Sequence, residues 1–206
     1  MNFLDHTYFA YPRGVTKKIC NEIIQYGEGK IIHDSSTMGE DIPREESKRN
    51  KTLKEIRKVR NSQTSWLKTF WIYKEIRPFI WAANKQARWN LDYDAVQHFQ
   101  FTKYEGNKKQ HYTWHSDNGI PQGPRNRVRK LSTTVMLSDP KDFEGGDLEF
   151  YNYAPPGDKN KILKTTEIKA QGTIITFPSF VIHRVLPVTK GTRYSLVVWH
   201  IGPQLT

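Results

Sequence analysis

The sequence has almost no cysteine, since Cys20 is the only one among 206 residues. One thiol cannot form an internal disulfide framework, so a disulfide-rich secreted scaffold is excluded and a reducing, cytoplasmic compartment is expected. Cys20 also falls in an apolar pattern of helical spacing, which predicts a buried structural side chain rather than a reactive one.

Long hydrophobic runs, internal repeats and low-complexity tracts are missing as well. Without a run of about 20 apolar residues, the chain has no typical membrane-spanning helix, and no membrane partner is expected. Residues 1–14 lack the basic start and apolar centre of a signal peptide, so no secretory leader is expected. With no clear linker, residues 1–206 are predicted to form a single domain.

Acidic residues are fewer than basic ones, 21 against 32, and the net charge is +11. Most of the excess lies in two stretches: residues 44–60 hold eight basic and three acidic residues, and residues 125–130 hold four basic residues. These stretches are either solvated loops that keep the protein soluble or a rim that attracts an acidic partner or nucleic acid.

The N-terminal part, residues 1–95, is predicted to be a helical support. Thr16 can cap a first helix, and Gly27 and Gly29 are predicted to end it. Residues 34–52 are polar and charged, and are predicted to form a loop.

A second helical pattern runs from Trp66 to Trp89. Pro78 should divide this segment into two helices or kink it. The aromatic side chains of the segment, Phe70 among them, are predicted to be core contacts that brace a sheet.

From Val96 onward the sequence consists of short strand-like segments rich in β-branched and aromatic residues. Helices followed by short antiparallel strands predict an α+β fold that is mainly β. The expected core is a double-stranded β-helix (jelly roll) over residues 96–203, with the N-terminal helices packed outside the sheet. Residues 151–165 are predicted to be a long hairpin loop, either a substrate lid or an insertion.

Two histidines and one carboxylate form a candidate metal site. His115 and Asp117 are two residues apart, so on a strand both side chains leave the same face. His183 follows the apolar strand TIITF and could come from a facing strand. Such a set can hold non-haem iron(II) on one face, and it also fits catalytic zinc. The remaining histidines are expected to be structural or exposed, namely His6, His33, His98, His111 and His200.

Arg193 stands ten residues after the last of these histidines. On a strand its side chain shares a face with Ser195, Val197 and Trp199. A guanidinium inside a barrel must be paired, and a carboxylate is its natural bidentate partner. That carboxylate belongs either to a dicarboxylate co-substrate such as 2-oxoglutarate or to the protein itself.

Three segments together resemble a known family. Tyr104–Asp117 (YEGNKKQHYTWHSD), RKLSTTVMLSDPKDFEGGDLEF and IITFPSFVIHRVLPVTKGTRYSLVVW are similar to the successive motifs of Fe(II)/2-oxoglutarate dioxygenases of the prolyl 4-hydroxylase type. The likeness is strongest to the bacterial and phage PKHD-type hydroxylases. It covers about Val96 to Pro203, half of the chain.

The resemblance implies a role for each motif residue. His115, Asp117 and His183 would bind Fe(II), and Arg193 would pair with the distal carboxylate of 2-oxoglutarate. O₂ is then the second co-substrate, with ascorbate as the expected reductant. Further co-substrate contacts are implied for Tyr104, Tyr112, Thr134 and Trp199, although Trp199 could equally be a core residue.

One position departs from the family pattern. Animal oxygen-sensing relatives have a tyrosine that helps to hold the distal carboxylate, where this chain has Met136. A thioether cannot donate a hydrogen bond, so Thr134 or Ser132, on the same strand face, is expected to replace it. Gly145 and Gly146 would allow a close hairpin beside the site.

The reaction implied by the resemblance is hydroxylation of C4 of a prolyl residue in a protein or peptide, with succinate and CO₂ as co-products. Two alternatives stay open. A nucleic-acid oxidative demethylase would use the basic stretches, but such enzymes carry a second arginine where this chain has Trp199. A non-catalytic jelly-roll binding module would need neither the ligand set nor Arg193.

Overall fold

The structure, a computed structural model, describes residues 4–30, 33–34, 57–119, 127–153 and 161–204. Two antiparallel sheets, of nine and five strands, account for most of these residues. Two long helices, α1 (Lys17–Glu28) and α2 (Phe70–Gln86), accompany them. Neither helix has the length and apolar character needed to cross a membrane, and the same holds throughout the described part of the chain.

The larger sheet follows the order β1-β12-β8-β14-β6-β4-β2, and β5 and β9 also pair with β14. The long strand β14 therefore makes hydrogen bonds to four strands. The bounds of the nine strands are β1 (Phe9–Tyr11), β2 (His33–Asp34), β4 (Gln63–Leu67), β5 (Ala95–Val96), β6 (Phe99–Glu105), β8 (Val128–Met136), β9 (Phe143–Gly145), β12 (Ile174–Pro178) and β14 (Val188–Gly202).

The smaller sheet follows the order β11-β10-β13-β7-β3. Its strands are β3 (Arg60–Asn61), β7 (His111–His115), β10 (Leu148–Tyr151), β11 (Ile162–Lys164) and β13 (His183–Val185). One apolar cluster joins the two sheets, because it contains Tyr104, Met136 and Phe177 of the larger sheet together with Leu148, Phe150 and Val185 of the smaller one.

The larger sheet is covered by helices on its other face. Alternation along β8 sends Leu131 and Val135 into a cluster with buried isoleucines of α1 and α2, whereas Ser132 and Thr134 point the opposite way. Cys20 is completely buried in this cluster, so the prediction of a structural thiol is confirmed. The mainly β fold and the outer position of the helices also agree with the sequence.

Helix α1 begins as predicted, because the Thr16 side chain accepts a hydrogen bond from the Ile19 amide. Its predicted end was wrong at one glycine. Gly27 lies inside the helix and Gly29 caps it. The reason is packing: a Cβ on Gly27 would lie 2.6 Å from the Phe101 ring, so glycine here allows helix and sheet to approach.

The second helical pattern was wrong at Trp66 and at Phe70. Trp66 belongs to β4. The helix is continuous through Pro78, so of the two alternatives predicted there the division into two helices is excluded. Phe70 is 75% exposed at the first turn of α2, so it is not a core contact. Strands β1, β3 and β4 also show that sheet formation begins well before Val96.

Several sequence predictions fall largely outside the described residues. They concern the loop of residues 34–52, most of the basic stretch 44–60, the first two residues of the stretch 125–130, and the centre of the hairpin 151–165. In the described flanks of that hairpin, β10 and β11 pair antiparallel.

His200, on the outer face of β14, makes stability depend on pH. It is 1% exposed, its Nε2 lies 3.1 Å from the Tyr73 hydroxyl, and burial lowers its pKa from 6.5 to about 4. Between these values the unfolded chain binds a proton that the folded chain does not, so stability falls as pH falls through the window.

We expect His200→Gln to flatten that dependence by up to about 1.4 kcal/mol per pH unit between pH 6.5 and 4. Urea unfolding at a series of pH values measures the slope. His98→Gln, which replaces an exposed imidazole, is the matched control. Equal slopes for parent and His200→Gln would contradict the prediction.

Candidate metal centre

The three candidate ligand residues meet at neighbouring strands of the smaller sheet. His183 on β13 lies directly opposite His115 on β7 in the antiparallel register. The expectation of a facing strand was therefore wrong, because the two histidines share a sheet. Asp117 lies beyond the end of β7, where its amide donates to the Ser179 carbonyl at 2.8 Å. That backbone bond, rather than strand alternation, brings its carboxylate to the histidines.

The ligand atoms of His115, Asp117 and His183 all lie within 4.8 Å of one another. Each imidazole Nε2 is 3.7 Å from a different Asp117 oxygen, His115 from Oδ1 and His183 from Oδ2. One nitrogen from each ring and one carboxylate oxygen therefore surround a common point, as a metal ion requires.

Backbone carbonyls orient both imidazoles. The His115 Nδ1 lies 2.8 Å from the Thr113 carbonyl oxygen, and the His183 Nδ1 lies 2.9 Å from that of Val181. A carbonyl accepts only, so each Nδ1 carries the proton and each Nε2 presents a lone pair to the centre. Burial, reinforced by the nearby His183, lowers the pKa of His115 to about 3, which keeps this ring neutral.

Two donors hold the carboxylate of Asp117. Ser132 Oγ and Trp199 Nε1 both donate to Oδ2, at 2.7 and 2.9 Å. Burial opposes ionisation of Asp117, but His183, His115 and Arg129 together with the Trp199 N–H lower its pKa to about 2. Neutral imidazoles and an ionised carboxylate are the protonation states that bind a metal ion.

Trp199→Phe tests whether the hydrogen bond from Trp199 to Asp117 supports metal binding. The change keeps an aromatic ring but removes the N–H that orients Asp117, so we expect metal affinity to fall by about 10- to 100-fold. Calorimetric titration with a divalent cation measures it. Trp66→Phe is the matched control, since Trp66 also lines the cavity and its ring lies 5.9 Å from that of Trp199. Equal affinities in the two variants would contradict the assigned contact.

The metal centre opens into a cavity of about 120 Å³ between the sheets. Four residues of β14 that were predicted to share a face, Arg193, Ser195, Val197 and Trp199, all line it. Tyr104, Tyr112 and Thr134 line it as well, as expected of co-substrate contacts. Ser132 instead donates its hydroxyl hydrogen bond to Asp117.

Arg193 is 2% exposed, and its hydrogen bonds and ring contact within the described part of the chain are to neutral groups. Its Nη1 donates to Ser195 Oγ at 3.3 Å, its Nη2 lies 3.4 Å from Met136 Sδ, and its guanidinium lies over the Tyr104 ring. Among the described residues, no Asp or Glu forms an ion pair with it. The alternative of a protein salt bridge therefore finds no partner there, and Met136 occupies part of the space beside the guanidinium.

Gly146 makes room for this arginine. It has a φ of +65°, and a Cβ at this position would lie 2.8 Å from Arg193 Cδ. The prediction that the Gly145–Gly146 hairpin lies beside the site is therefore confirmed by the close approach of Gly146 to the side chain.

Sequence reasoning missed several cavity residues. Arg60, Trp66, Gln100 and Arg129 line the cavity and carry no recognisable motif. Arg60 reaches the site only because β3 pairs with β7, and Arg129 only because β8 pairs with β14. Strand register is the missing information in both cases.

Comparison with sequence families matches residues 99–201, half of the chain, to the 2OG-Fe(II) oxygenase superfamily. A PKHD-type hydroxylase of Pseudomonas fluorescens is 36% identical over 91 residues, which cover 43% of this chain and 37% of that protein. One from Crocosphaera subtropica is 35% identical over 104 residues, or 50% and 42% of the two chains. The chain thus spans about two fifths of the length of these relatives.

Solved structures share the fold over nearly the whole chain. The viral collagen prolyl hydroxylase of Paramecium Bursaria Chlorella virus-1, in a 2OG complex, gives a TM-score of 0.64 at 17% identity and covers 96% of this chain and 97% of that one. A prolyl-4-hydroxylase of Pseudomonas putida gives 0.61 at 18%, covering 95% and 93%. A Trichoplax adhaerens prolyl hydroxylase, in complex with a hypoxia inducible factor peptide fragment, gives 0.63 at 15%, covering 95% and 84%.

Proposed function

Because the chain belongs to the 2OG-Fe(II) oxygenase superfamily, we propose that it is a dioxygenase that uses Fe(II), 2-oxoglutarate and O₂ to hydroxylate an unactivated C–H bond. The proposed target is C4 of a prolyl residue in a protein or peptide. The observation that carries the proposal is the pairing of two features in one cavity: a ligand set of two histidines and a carboxylate, and the buried cation Arg193.

In this proposal, His115, Asp117 and His183 hold Fe(II), and the donor set fits because both Nε2 atoms are free and the carboxylate is ionised. Bound Fe(II) supplies, with O₂ and 2-oxoglutarate, the oxidation that hydroxylates the substrate and releases succinate and CO₂. Three protein ligands leave coordination positions for these partners.

The remaining side chains of the cavity position the co-substrate and shield it from water. Arg193 binds the distal carboxylate of 2-oxoglutarate, since a dicarboxylate supplies a bidentate partner. Burial lowers the pKa of Arg193 and the charges of Tyr104 and Asp147 raise it, but Asp147 forms its ion pair with Lys169. Tyr104, Tyr112 and Thr134 line the co-substrate space, and Trp199 fixes Asp117. The two sheets around this space form, in our proposal, a double-stranded β-helix within a single domain of residues 1–206.

The prolyl assignment draws support from two kinds of likeness. The curated relatives are named PKHD-type hydroxylases, and the solved structures are prolyl hydroxylases, one of them with a peptide fragment bound. A proline-containing peptide or protein is therefore the proposed partner. Ascorbate as reductant and a cytoplasmic location complete the proposal.

The test measures succinate formation from 2-oxoglutarate with Fe(II) and ascorbate, with and without a proline-rich peptide. His183→Ala is the blank. We expect turnover that rises with peptide, a mass gain of one oxygen on the peptide, and no turnover in the variant.

Other outcomes have definite meanings. Succinate formation that no peptide stimulates would keep the oxidative chemistry and remove the prolyl substrate. Demethylation of a methylated base would favour the nucleic-acid enzyme. No succinate from folded, iron-loaded protein would overturn the dioxygenase and leave a binding module.

A further inference from the structure

The cavity contains more positive charge than the proposed reaction uses. Three arginines line it, Arg60, Arg129 and Arg193, and among the described residues that line it Asp117 is the only acidic one. The proposed metal accounts for Asp117, and 2-oxoglutarate accounts for Arg193. Arg60 has no part in that scheme, and Arg129 enters it only through the charge that helps to keep Asp117 ionised.

Arg60 is held in place by neutral groups. It is 6% exposed, its Nε donates to Ser62 Oγ at 3.1 Å, and its Nη2 donates to Gln100 Oε1 at 2.6 Å. The guanidinium lies 4.7 Å above the Tyr112 ring. These contacts orient the group without neutralising its charge.

Arg129 repeats this arrangement on the larger sheet. Its Nε donates to Gln97 Oε1 at 2.7 Å, and its guanidinium lies 3.8 Å from the centre of the Trp199 ring. Burial lowers the pKa of Arg129, the charges of Asp117 and Tyr112 raise it, and the charge of Arg60 lowers it, so the two arginines lie close enough to repel each other. Within the described ranges, neither arginine forms an ion pair with an Asp or Glu.

Arg184 shows what the fold does with a stacked arginine outside the cavity. It lies 4.4 Å from the centre of the Trp114 ring, and its Nη2 pairs with the buried Glu149 at 2.7 Å. Arg184 thus has an ion-paired carboxylate, whereas among the described residues neither Arg60 nor Arg129 has one. A half-buried or buried cation costs free energy unless it is paired, so an anion is expected beside Arg60 and Arg129.

The position of this arginine pair separates it from the co-substrate arginine. Arg129 lies across from Ile201 in the register, eight residues along β14 from Arg193, or roughly 25 Å of extended strand. Both stacking partners touch the metal centre: the Tyr112 ring stacks on that of His115 at 3.5 Å, and Trp199 donates to Asp117. An anion held between these arginines would lie beside the two side chains that contact His115 and Asp117.

We infer that Arg60 and Arg129 form a carboxylate-binding subsite for the substrate to be hydroxylated, an inference that rests on the proposed dioxygenase function. The substrate is then an acidic molecule, with a carboxylate close to the carbon that reacts. This carboxylate comes either from an Asp or Glu side chain beside the target residue or from the α-carboxylate of a terminal target residue. Planar guanidinium forks bind both by the same charge-assisted hydrogen bonds.

Anaerobic calorimetry tests the subsite without turnover. Protein loaded with Fe(II) and 2-oxoglutarate is titrated with four acetylated peptides. The first two are amidated and have a proline flanked either by glutamates or by glutamines. The third is the glutamine peptide ending at the proline with a free carboxylate, and the fourth is the glutamate peptide with alanine in place of proline. We expect a peptide with a carboxylate to bind about tenfold or more tightly than the amidated glutamine peptide.

The variants assign the preference to these arginines. Arg60→Gln and Arg129→Gln should each bring the ratio of affinities close to one, and Arg129→Lys, which keeps the charge but loses the fork, should give an intermediate ratio. Arg77→Gln removes an exposed charge from α2 and is the control that should keep the ratio. Thermal melting verifies that each variant is folded. If Arg129→Gln does not fold, Arg129→Lys is used in its place.

The results separate the subsite from the reaction. A preference for the glutamate peptide or for the free carboxylate supports the subsite and identifies the source of the anion. An acid preference that persists with alanine, while no peptide gains oxygen in air, keeps the subsite and removes prolyl hydroxylation. Equal binding of acidic and neutral peptides, or a ratio unchanged in both glutamine variants, overturns the inference.

Discussion

Asp117→Ala is expected to abolish metal binding and 2-oxoglutarate turnover together. The variant removes the carboxylate that, alone among the described residues, lies between the two imidazoles, each 3.7 Å away. Loss of a ligand should exceed the roughly 10- to 100-fold effect of losing a hydrogen-bond partner of a ligand. Iron content after desalting and succinate release per protein measure the two effects.

His111→Ala is the matched control for this prediction. His111 lies on the same strand, β7, but it is half-buried and contacts the carbonyl oxygens of Lys109 and Lys58. We expect its variant to retain iron and turnover. An Asp117→Ala protein that still holds one equivalent of iron would show that the metal lies elsewhere.

Arg193→Gln is expected to raise the KM for 2-oxoglutarate by about 10- to 100-fold, the value of a lost charge-assisted carboxylate contact. The guanidinium is buried and is in contact with Ser195 and Met136, neither of which can replace its charge. Steady-state kinetics with varied 2-oxoglutarate measure the change. Iron content should remain that of the parent, because Arg193 contacts none of the three ligands.

Tyr194→Phe is the control for damage to the strand. Tyr194 follows Arg193 on β14 and packs on the helix-covered face of the sheet. Its variant should keep the parent KM. A normal KM in Arg193→Gln would mean that the co-substrate carboxylate is bound by another group, and Arg60 and Arg129 would be the next to test.

The sequence predicted the ligand trio because its types and order form a recognisable motif. The structure brings His115, Asp117 and His183 together as expected, but by a different route. The antiparallel pairing of β7 with β13 and the turn after β7 determine where the three ligand side chains meet. Neither can be deduced from the spacing of two residues.

Periodicity failed where tertiary packing overrides local preference. Trp66 fits a helical pattern but lies in a strand, because β4 pairs with β6 and places the indole in the cavity. Gly27 looks like a helix end but is required where Phe101 approaches. Arg60 and Arg129 are ordinary basic residues in sequence and become neighbours only through pairing of distant strands.

The 15-residue strand β14 gives the protein an unusual form of cooperativity. This strand carries Arg193 and Trp199 and is hydrogen-bonded to four others, so neither residue can move far without breaking the same ladder. Opening of a fold proceeds in contiguous units, and amide hydrogens report their free energies. The amides of β14 should therefore exchange among the slowest, and a subglobal opening that releases one residue should release the other. Co-substrate binding and metal retention would then be lost in one event.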